Sequence, residues 1–195
     1  GGDIDGEAAD DESGYSVSLS GNGTTVAIGA RKNDGNGNSS GQTRIYSWNG
    51  TTWSQLGGDI DGEASDDESG FSVSLAGNGT VVAVSAYQNN GNGSNAGHTR
   101  IYTWNGTTWN QLGSDIDGEA ADDEGGYSIA LSNDGNTIAI GARLNDGNGT
   151  NSGQTRIYSW SGNTWSQLGS DIDGEASDDE SGFSVSLSDD GTTVA

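Results

Sequence analysis

The sequence contains no cysteine, no proline and no methionine among its 195 residues. Without cysteine, the fold is not held together by disulfide bonds. Basic residues are also scarce, since 6 lysines and arginines stand against 29 acidic residues and the formal net charge is −23. That balance argues against binding to nucleic acid, whose phosphates require clustered basic residues, and against docking on anionic lipid. No apolar run approaches the roughly 20 residues of a membrane span, and no signal peptide is visible.

The negative charge is concentrated in one recurring string. DIDGEAADDESG fills residues 3–14, and nearly the same string occupies residues 59–70, 115–126 and 171–182. Together the four strings hold 24 of the 29 acidic residues. The rest of the chain has 5 acidic and 6 basic residues, so a nearly neutral body carries four acidic stretches.

The acidic string belongs to a repeat with a period of 56 residues. Three full units occupy residues 1–56, 57–112 and 113–168, and a partial unit occupies residues 169–195. Such a period indicates an array in which neighbouring units bury a shared core, here within a single domain-sized array. Because the chain lacks methionine and starts and stops inside a unit, we expect it to be a piece of a longer protein.

Each unit is predicted to form four short strands. In the first unit these are residues 15–19, 24–30, 43–48 and 51–56, which are β-branched, aromatic or alternating in size. No segment has helical periodicity. Asn-Gly at residues 49–50 predicts a type I′ hairpin turn, in which both turn positions need positive φ. The acidic stretch then crosses to the next unit, and we call residues 3–14, 59–70, 115–126 and 171–182 the acidic crossovers.

The strands have one bulky side and one small-residue side. Tyr15, Val17 and Leu19 lie on one side of the first strand, and Ser16 and Ser18 lie on the other. When units stack face to face, the bulky side of one sheet fills the shallow side of its neighbour. A four-stranded antiparallel unit that buries both faces against its copies is a propeller blade. We therefore predict an all-β fold, a β-propeller of four-stranded antiparallel blades with about three and a half repeats in this chain.

Three and a half blades are fewer than a propeller needs, because closure takes about four to eight. The incomplete unit at residues 169–195 also offers unpaired strand edges. We therefore expect the partners to be other copies of the chain or further repeats of its parent protein, with glycans or surface proteins as the alternatives.

The repeat resembles the FG-GAP repeats of integrin α-chain propellers and of their bacterial and algal relatives. The likeness rests on residues 13–17 (SGYSV) and 28–31 (IGAR), and it recurs at residues 69–73 and 84–87. The resemblance implies a seven-bladed, extracellular and non-catalytic propeller.

The departures from the family pattern concern its two signature dipeptides and its metal loop. Ser-Gly stands where the family has Phe-Gly, and Arg31, Tyr87 or Arg143 stands where it has proline. The family's calcium loop, D-x-D-x-D-G, lies between the first two strands. Here that hairpin reads only SGNG at residues 20–23, so the resemblance does not transfer a calcium site to it.

The acidic crossovers are candidate calcium sites on their own chemistry. Six like charges in twelve residues repel one another, and a bound cation relieves that repulsion. Calcium takes six to eight oxygen ligands, and a glycine such as Gly6 allows the sharp bend of a calcium loop. The alternatives are an acidic rim that stays solvated in saline surroundings and carboxylates that form hydrogen bonds with strand ends. The predicted ligands are Asp3, Asp5, Glu7, Asp10, Asp59, Asp61, Glu63, Asp66, Asp115, Asp117, Glu119, Asp122, Asp171, Asp173, Glu175 and Asp178.

Two further groups of residues have both a binding and a structural interpretation. Residues 33–37 (NDGNG) offer oxygens to a cation or a sugar, but they are equally a plain turn. Pairs of tryptophans flank each Asn-Gly or Ser-Gly turn, and they either stack on sugars or pack as cross-strand pairs. These tryptophans are Trp48, Trp53, Trp104, Trp109, Trp160 and Trp165. We expect the repeated arginines Arg44, Arg100 and Arg156 to pair with the acidic crossovers.

The sequence does not suggest an enzyme. His98 is the only histidine, and its counterparts in the other units are Gln42 and Gln154, so it belongs to no repeated site. No phosphate-binding loop is present, because the glycine runs are Gly/Asn turns. The leading hypothesis is an extracellular or cell-surface scaffold for adhesion or fibre assembly, stabilised by calcium. The alternatives are a carbohydrate-binding propeller module and a spacer without ligands.

Overall fold

The computed structural model describes residues 1–195. The chain forms fifteen β-strands and no α-helix. The first sheet contains β1 (Ser13–Leu19), β2 (Thr25–Ala30), β3 (Gln42–Trp48), β4 (Trp53–Gln55) and β5 (Ile60–Asp61). The second contains β6 (Val73–Leu75), β7 (Val81–Ala86), β8 (His98–Trp104), β9 (Trp109–Gln111) and β10 (Ile116–Asp117). The third contains β11 (Gly125–Leu131), β12 (Thr137–Ala142), β13 (Gln154–Trp160), β14 (Trp165–Gln167) and β15 (Ile172–Asp173). No helix has the length and apolar character that a membrane span requires.

Each sheet is an antiparallel meander of four strand positions, as predicted. In the first sheet the order is β1-β2-β3-β4, and the short β5 pairs with the other end of β3. The fourth position is therefore shared by β4, beside Tyr46–Trp48, and β5, beside Gln42 and Thr43. The same arrangement recurs in the other two sheets, so each full unit forms one blade, to which the following unit adds one short strand.

The hairpin between β3 and β4 differs from the predicted type I′ turn. Its loop has four residues, 49–52, and Asn49 does not adopt positive φ, whereas Gly50 does with φ of 100°. The Asn49 side chain explains the difference, since its Oδ1 accepts the N–H groups of Thr51 at 2.9 Å and Thr52 at 3.0 Å. The type I′ prediction is wrong because an asparagine that caps its own turn favours a wider loop.

The blades stack bulky face on small face, as the alternation predicts. One core cluster joins the small face of the first blade to the bulky face of the second: Ala27, Ile45, Ile60, Val73, Leu75, Val82 and Val84. A second cluster joins the next two blades: Ala76, Ala83, Ile101, Ile116, Ile129, Leu131, Ile138, Ile140 and Tyr158. The hydrophobic core thus lies between blades, where burial of apolar area stabilises the stack.

Serines on the small faces add hydrogen bonds across these interfaces. The Ser16 hydroxyl donates to the carbonyl oxygen of Gly70 at 2.7 Å. The Ser18 hydroxyl accepts the N–H of Leu75 at 2.9 Å. Along β1 the serines therefore make polar contacts with the second blade, and the large residues form an apolar surface on the opposite face.

Two ladders with the 56-residue period run through the stack. Backbone hydrogen bonds of 2.9 Å link the first hairpins of successive units, from Gly21 N–H to the Gly77 oxygen and from Gly77 N–H to the Asn133 oxygen. The second ladder consists of one aromatic ring from each unit, near the start of its first hairpin, and the centroids of successive rings lie 5.0 to 5.1 Å apart. Its members are Tyr15, Phe71, Tyr127 and Phe183.

The stack has two end faces without a neighbouring full unit. On the first blade Val17 is 63% exposed and Leu19 is 59% exposed. On the third blade Leu168 is 48% exposed and Ile172 is 44% exposed. The partial unit at residues 169–195 lies against the third blade, but beyond β15 its regular pairing is limited to two isolated bridges, Gly153 with Ser181 and Leu187 with Val194.

Candidate functional site in the acidic crossovers

The acidic crossovers are bound along their length by a neighbouring polar loop. In the first blade this loop comprises residues 31–42, and it contacts the second crossover. The N–H of Asp66 donates to the Asn38 oxygen at 2.7 Å, and the N–H of Ser69 donates to the Ser40 oxygen at 3.0 Å. Backbone pairing of this kind fixes the path of a segment whose charges would otherwise favour an extended, solvated chain.

Side chains of the Asn/Gly-rich turn complete this attachment. Asn36 Nδ2 donates to the Gly62 oxygen at 2.8 Å, and the equivalent Asn148 Nδ2 donates to the Gly174 oxygen at 2.8 Å. Asp34 Oδ1 accepts the N–H of Ser39 at 2.7 Å within the loop. Of the two interpretations of residues 33–37, the structural one is therefore realised in these contacts.

The repeated arginines of the third strands pair with the crossovers, as predicted. Arg44 Nη2 donates to the backbone oxygen of Asp5 at 2.8 Å, and Arg156 Nη2 donates to that of Asp117 at 2.7 Å. Each arginine also faces the next acidic side chain along the crossover, with Arg44 Nη1 lying 3.7 Å from a Glu7 oxygen. These contacts hold each crossover over the bulky face of the blade that follows it.

Arg31 makes a second kind of link that the sequence analysis did not identify. Its Nε lies 2.6 Å from Glu12 Oε2 and its Nη1 lies 2.7 Å from Glu68 Oε2, so one guanidinium joins two successive crossovers. Hydrogen bonds from Lys32 and Arg31 lower the pKa of Glu12. Arg143 repeats the link with Glu124 at 2.7 Å and Glu180 at 3.2 Å. The signal in the sequence is the arginine at the position where FG-GAP repeats have proline.

The second blade replaces this arginine by Tyr87. The Tyr87 ring lies 4.1 Å from that of Phe71 and 5.7 Å from that of Tyr127, so it packs against the aromatic ladder. Burial, followed by the nearby charge of Glu68, raises the pKa of Tyr87 to about 12. The boundary between the second and third units thus has an aromatic contact where the other two boundaries have a charged bridge.

Each of the first three crossovers also contains a buried aspartate that was not among the predicted ligands. Asp67 is only 1% exposed, and its Oδ2 accepts Asn89 Nδ2 at 2.9 Å. Asp11 and Asp123 are buried in the same way, and each accepts the equivalent asparagine at 2.9 Å. Burial raises the pKa of the Asp123 carboxyl, although the Asn145 amide partly offsets that rise. The sequence signal is the Asp and Asn separated by 22 residues in each of the three full units.

The structure does not gather the four predicted ligands of any one crossover into a cage. The third-blade crossover illustrates this, because Asp115 accepts Gln111 Nε2, Glu119 accepts Gln154 Nε2 at 3.2 Å, and Asp122 accepts Asn95 Nδ2 at 3.1 Å. These three carboxylates thus have separate partners on the protein. Calcium binding by the predicted residues stays a prediction.

One group of three potential ligands does converge, and it lies in the second blade. Ligand atoms of Glu63, His98 and Asp115 lie within 4.8 Å of one another. Arg100 occupies the same place, because it contacts Glu63 and its Nε lies 3.1 Å from Asp115 Oδ1. Burial and then the charge of Arg100 lower the pKa of His98, which keeps the imidazole neutral. The guanidinium therefore supplies the positive charge that a metal would bring to this group.

The hairpins at the family's usual calcium position use their own side-chain oxygens. Asn22 Oδ1 accepts the N–H of Thr24 at 3.0 Å and the hydroxyl of Ser20 at 2.9 Å. Asp134 Oδ1 accepts the equivalent groups of Asn136 and Ser132 at 2.9 and 2.7 Å. These short turns do not fit the ligand set of a D-x-D-x-D-G loop.

The tryptophan pairs pack across β3–β4 and its equivalents. The ring centroids of Trp48 and Trp53 lie 5.3 Å apart, and the other two pairs lie 5.4 Å apart. The indole N–H of Trp165 donates to the Leu112 oxygen of the preceding unit at 2.8 Å. The rings are half-buried, so the cross-strand packing that the sequence offered as one of two interpretations is present.

A shallow groove beside Trp165 and another beside Trp53 nevertheless combine aromatic and acidic groups. In the third blade it is lined by Tyr158, Trp165, Asp115 and Asp117. The equivalent groove of the first blade is lined by Tyr46, Trp53, Asp3 and Asp5.

Comparison with known proteins identifies the repeat and the fold. The model of the FG-GAP repeat matches residues 4–46 and 115–158. No curated protein matches the chain. A protein from Bacteroides uniformis assigned as a 6-phosphogluconolactonase is similar with a TM-score of 0.52 and 14% identity, over 79% of this chain and 39% of that one. Hydrazine synthase of Kuenenia stuttgartiensis is similar with a TM-score of 0.52 and 11% identity, over 99% of this chain and 44% of that one.

The chain thus spans less than half the length of either of these two structures. At such low identity the likeness concerns the fold alone, which is all-β with four-stranded antiparallel sheets of the propeller type.

Proposed function

Because residues 4–46 and 115–158 are FG-GAP repeats and the chain folds into propeller-type blades, we propose that it is a non-enzymatic, extracellular structural or adhesive scaffold. It joins to other copies of itself or to further repeats of its parent protein. The observation that carries this proposal is that the same contacts recur at successive unit boundaries. The groups that carry chemistry, the arginines, acidic residues and tryptophans, are engaged in those contacts.

Assembly in solution tests the scaffold function. We expect the sedimentation coefficient to rise with protein concentration between about 1 and 500 μM, since end faces with exposed apolar side chains are interaction surfaces. The measurement is made at 0.15 and 0.5 M NaCl, because repulsion between chains of net charge −23 is screened by salt. A monomer at every concentration in both salts would contradict assembly of this chain.

Calcium stabilisation is part of the proposal, and thermal melting tests it. We expect a saturable rise in Tm when millimolar Ca²⁺ replaces excess EDTA, because a cation offsets repulsion among the crossover carboxylates. NaCl of equal ionic strength is the control. A rise that NaCl reproduces would mean charge screening alone and would remove calcium from the proposal.

Carbohydrate binding is the second candidate, and the groove beside Trp165 favours it. An indole, a phenol and two carboxylates line that groove, and such a set suits stacking on a sugar ring with hydrogen bonds to its hydroxyls. A glycan array with Trp165→Ala as the control distinguishes the candidates. Saturable binding that Trp165→Ala abolishes supports the carbohydrate-binding module, and no binding supports the scaffold.

A further inference from the structure

The repeat shows what kind of surface covers each end of the stack. The bulky face of the second blade is buried under the small face of the first, and Val73 and Leu75 are only 8% and 6% exposed there. Their equivalents in the first blade, Val17 and Leu19, are 63% and 59% exposed. The first-blade face, which we define as Val17, Leu19, Val26, Ile28 and Trp53, encloses an open apolar groove.

The opposite end exposes only the outer part of the matching small face, since Ala139 on that face is 0% exposed. Ile60 and Ile116, at the start of the second and third crossovers, are 5% and 7% exposed because they pack under the next blade. Their equivalent Ile172 is 44% exposed. We define the third-blade face as Ala139, Ile157, Leu168 and Ile172. The two end faces of one chain are therefore the two halves of an interface that the chain itself forms twice.

The partial unit covers only the inner part of the third-blade face. It keeps the bonds from Ser128 to Gly182 at 2.7 Å and from Asn133 to Asp189 at 2.9 Å, but it lacks one bond that the other blade interfaces have. Phe183 is 55% exposed, whereas its equivalent Phe71 is 9% exposed. The serine that binds the next strand in the first two blades, Ser18 or Ser74, is Ala130 in the third, so Leu187 receives no such hydrogen bond. Residues 183–195 (FSVSLSDDGTTVA) repeat most of residues 15–27 (YSVSLSGNGTTVA), which belong to a complete blade.

We propose that two copies of this chain associate head to tail, with the first blade of one copy displacing residues 183–195 of the other and stacking on its third-blade face. This inference deepens the scaffold function proposed above and rests on it. In this exchange, the contacts that residues 183–195 make with the third blade are replaced by nearly identical contacts from residues 15–27 of the other copy. The exchange also places Tyr46 and Trp53 of one copy over Leu168 and Ile172 of the other. Within the chain, Tyr102 and Trp109 lie in the same way over Leu56 and Ile60.

The exchange also supplies a missing hydrogen bond. The indole N–H of Trp109 donates to Leu56, and that of Trp165 donates to Leu112, both across a unit boundary at 2.8 Å. Within this chain Trp53 makes no such bond, and the Leu168 oxygen accepts none from a tryptophan. In the pair of copies, Trp53 donates to Leu168 of the other chain.

Charge substitutions on the two faces test the contact without disturbing the folded monomer, since both sites are exposed. We expect Val17→Asp and Leu168→Asp each to weaken self-association at least tenfold in sedimentation at 0.5 M NaCl, because each would bury a carboxylate at the contact. Ala64→Asp adds the same charge on an exposed crossover outside both faces, and we expect it to associate like the unsubstituted chain.

Mixing the two variants tests the head-to-tail order. Val17→Asp keeps an intact third-blade face and Leu168→Asp keeps an intact first-blade face, so the 1:1 mixture forms a heterodimer although each variant alone is monomeric. Dimers of Leu168→Asp alone would mean that first blades pair with each other, and they would overturn the proposal.

Val185→Ser tests the displacement, because Val185 is partly buried and stands at the position of Val73, which packs in the core between the first two blades. If residues 183–195 must leave, weakening them strengthens association, and we expect about a tenfold lower dissociation constant. If association weakens or stays the same, the displacement is wrong. An unsubstituted chain that never associates would refute the scaffold's self-assembly itself, whereas association that ignores Val17→Asp and Leu168→Asp would refute only these faces.

Discussion

The indole N–H of Trp109 donates to the carbonyl oxygen of Leu56 at 2.8 Å, across the boundary between the first and second units. This bond links the tryptophan pair of one blade to the end of the blade before it. We expect Trp109→Phe to lower the free energy of unfolding by about 1 kcal/mol beyond the loss from the smaller ring, since a partly buried carbonyl loses its donor. Trp53→Phe is the matched control, because Trp53 makes no such bond.

Urea denaturation of the two variants measures this difference. Equal losses in Trp109→Phe and Trp53→Phe would show that the hydrogen bond contributes nothing and that only ring packing matters. The same comparison at Trp165, which bonds to Leu112, repeats the test at the next boundary.

The bridge from Arg31 to Glu12 and Glu68 gives a second prediction. We expect Arg31→Gln to destabilise the fold by about 1.5–3 kcal/mol, because two partly buried carboxylates lose charged hydrogen bonds at once. Lys32→Gln is the control, since Lys32 is more exposed, pairs only with Glu12, and is expected to cost at most about 1 kcal/mol.

Arg31→Lys sharpens this test. A lysine presents one compact charge and cannot reproduce the fork that reaches two carboxylates, so we expect it to recover less than half of the loss. Full recovery by lysine would mean that charge alone, without the bridging geometry, stabilises the boundary.

The buried Asp67 gives a third prediction. Removing its carboxylate leaves the Asn89 amide buried without an acceptor, so we expect Asp67→Ala to cost about 1–3 kcal/mol in chemical denaturation. Asp59→Ala is the control, because Asp59 is exposed and bonds only to the exposed Gln55 side chain. A loss in Asp59→Ala as large as that in Asp67→Ala would contradict a special role for the buried aspartates.

His98 makes the stability of the second blade sensitive to mild acid. Burial and Arg100 lower its folded-state pKa below the usual value of 6.5. The unfolded chain therefore takes up a proton first as the pH falls, and the folded state loses stability below about pH 6.5 down to the lowered pKa. Above that window His98 is neutral in both states and has no such effect.

His98→Gln tests this prediction with the residue that the other two full units already carry at this position. We expect the melting temperature of the variant to fall less steeply than that of the unsubstituted chain between pH 6.5 and 5. Parallel pH profiles would contradict the prediction. Titration of His98 followed by NMR gives an independent measurement of the lowered pKa.

The strands and their stacking could be predicted from the sequence because they depend on local alternation. Val17 and Leu19 against Ser16 and Ser18 define two faces, and a 56-residue period requires that the faces of neighbouring units meet. The pairing of Arg44 with its crossover could also be predicted, since an arginine recurs once per full unit beside a dense acidic string.

The remaining contacts depend on where distant segments meet, which periodicity does not specify. The bridge by Arg31 requires Glu12 and Glu68, which both adopt positive φ, to arrive on either side of one guanidinium. Burial of Asp67, rather than of the adjacent Asp66, depends on the same backbone path. The hairpin at Asn49 was predicted wrongly because its side chain competes with the backbone for the turn's N–H groups.

The backbone ladder from Gly21 to Gly77 to Asn133 to Asp189 ties each unit only to its neighbours. An array of this kind behaves as a one-dimensional chain of coupled elements, in which stability is a sum of unit and nearest-neighbour terms. A defect in the middle unit weakens two couplings, whereas the same defect in an end unit weakens one. Unfolding is therefore expected to begin at the ends and to advance unit by unit, and each added copy of the repeat extends the array by the same increment of free energy.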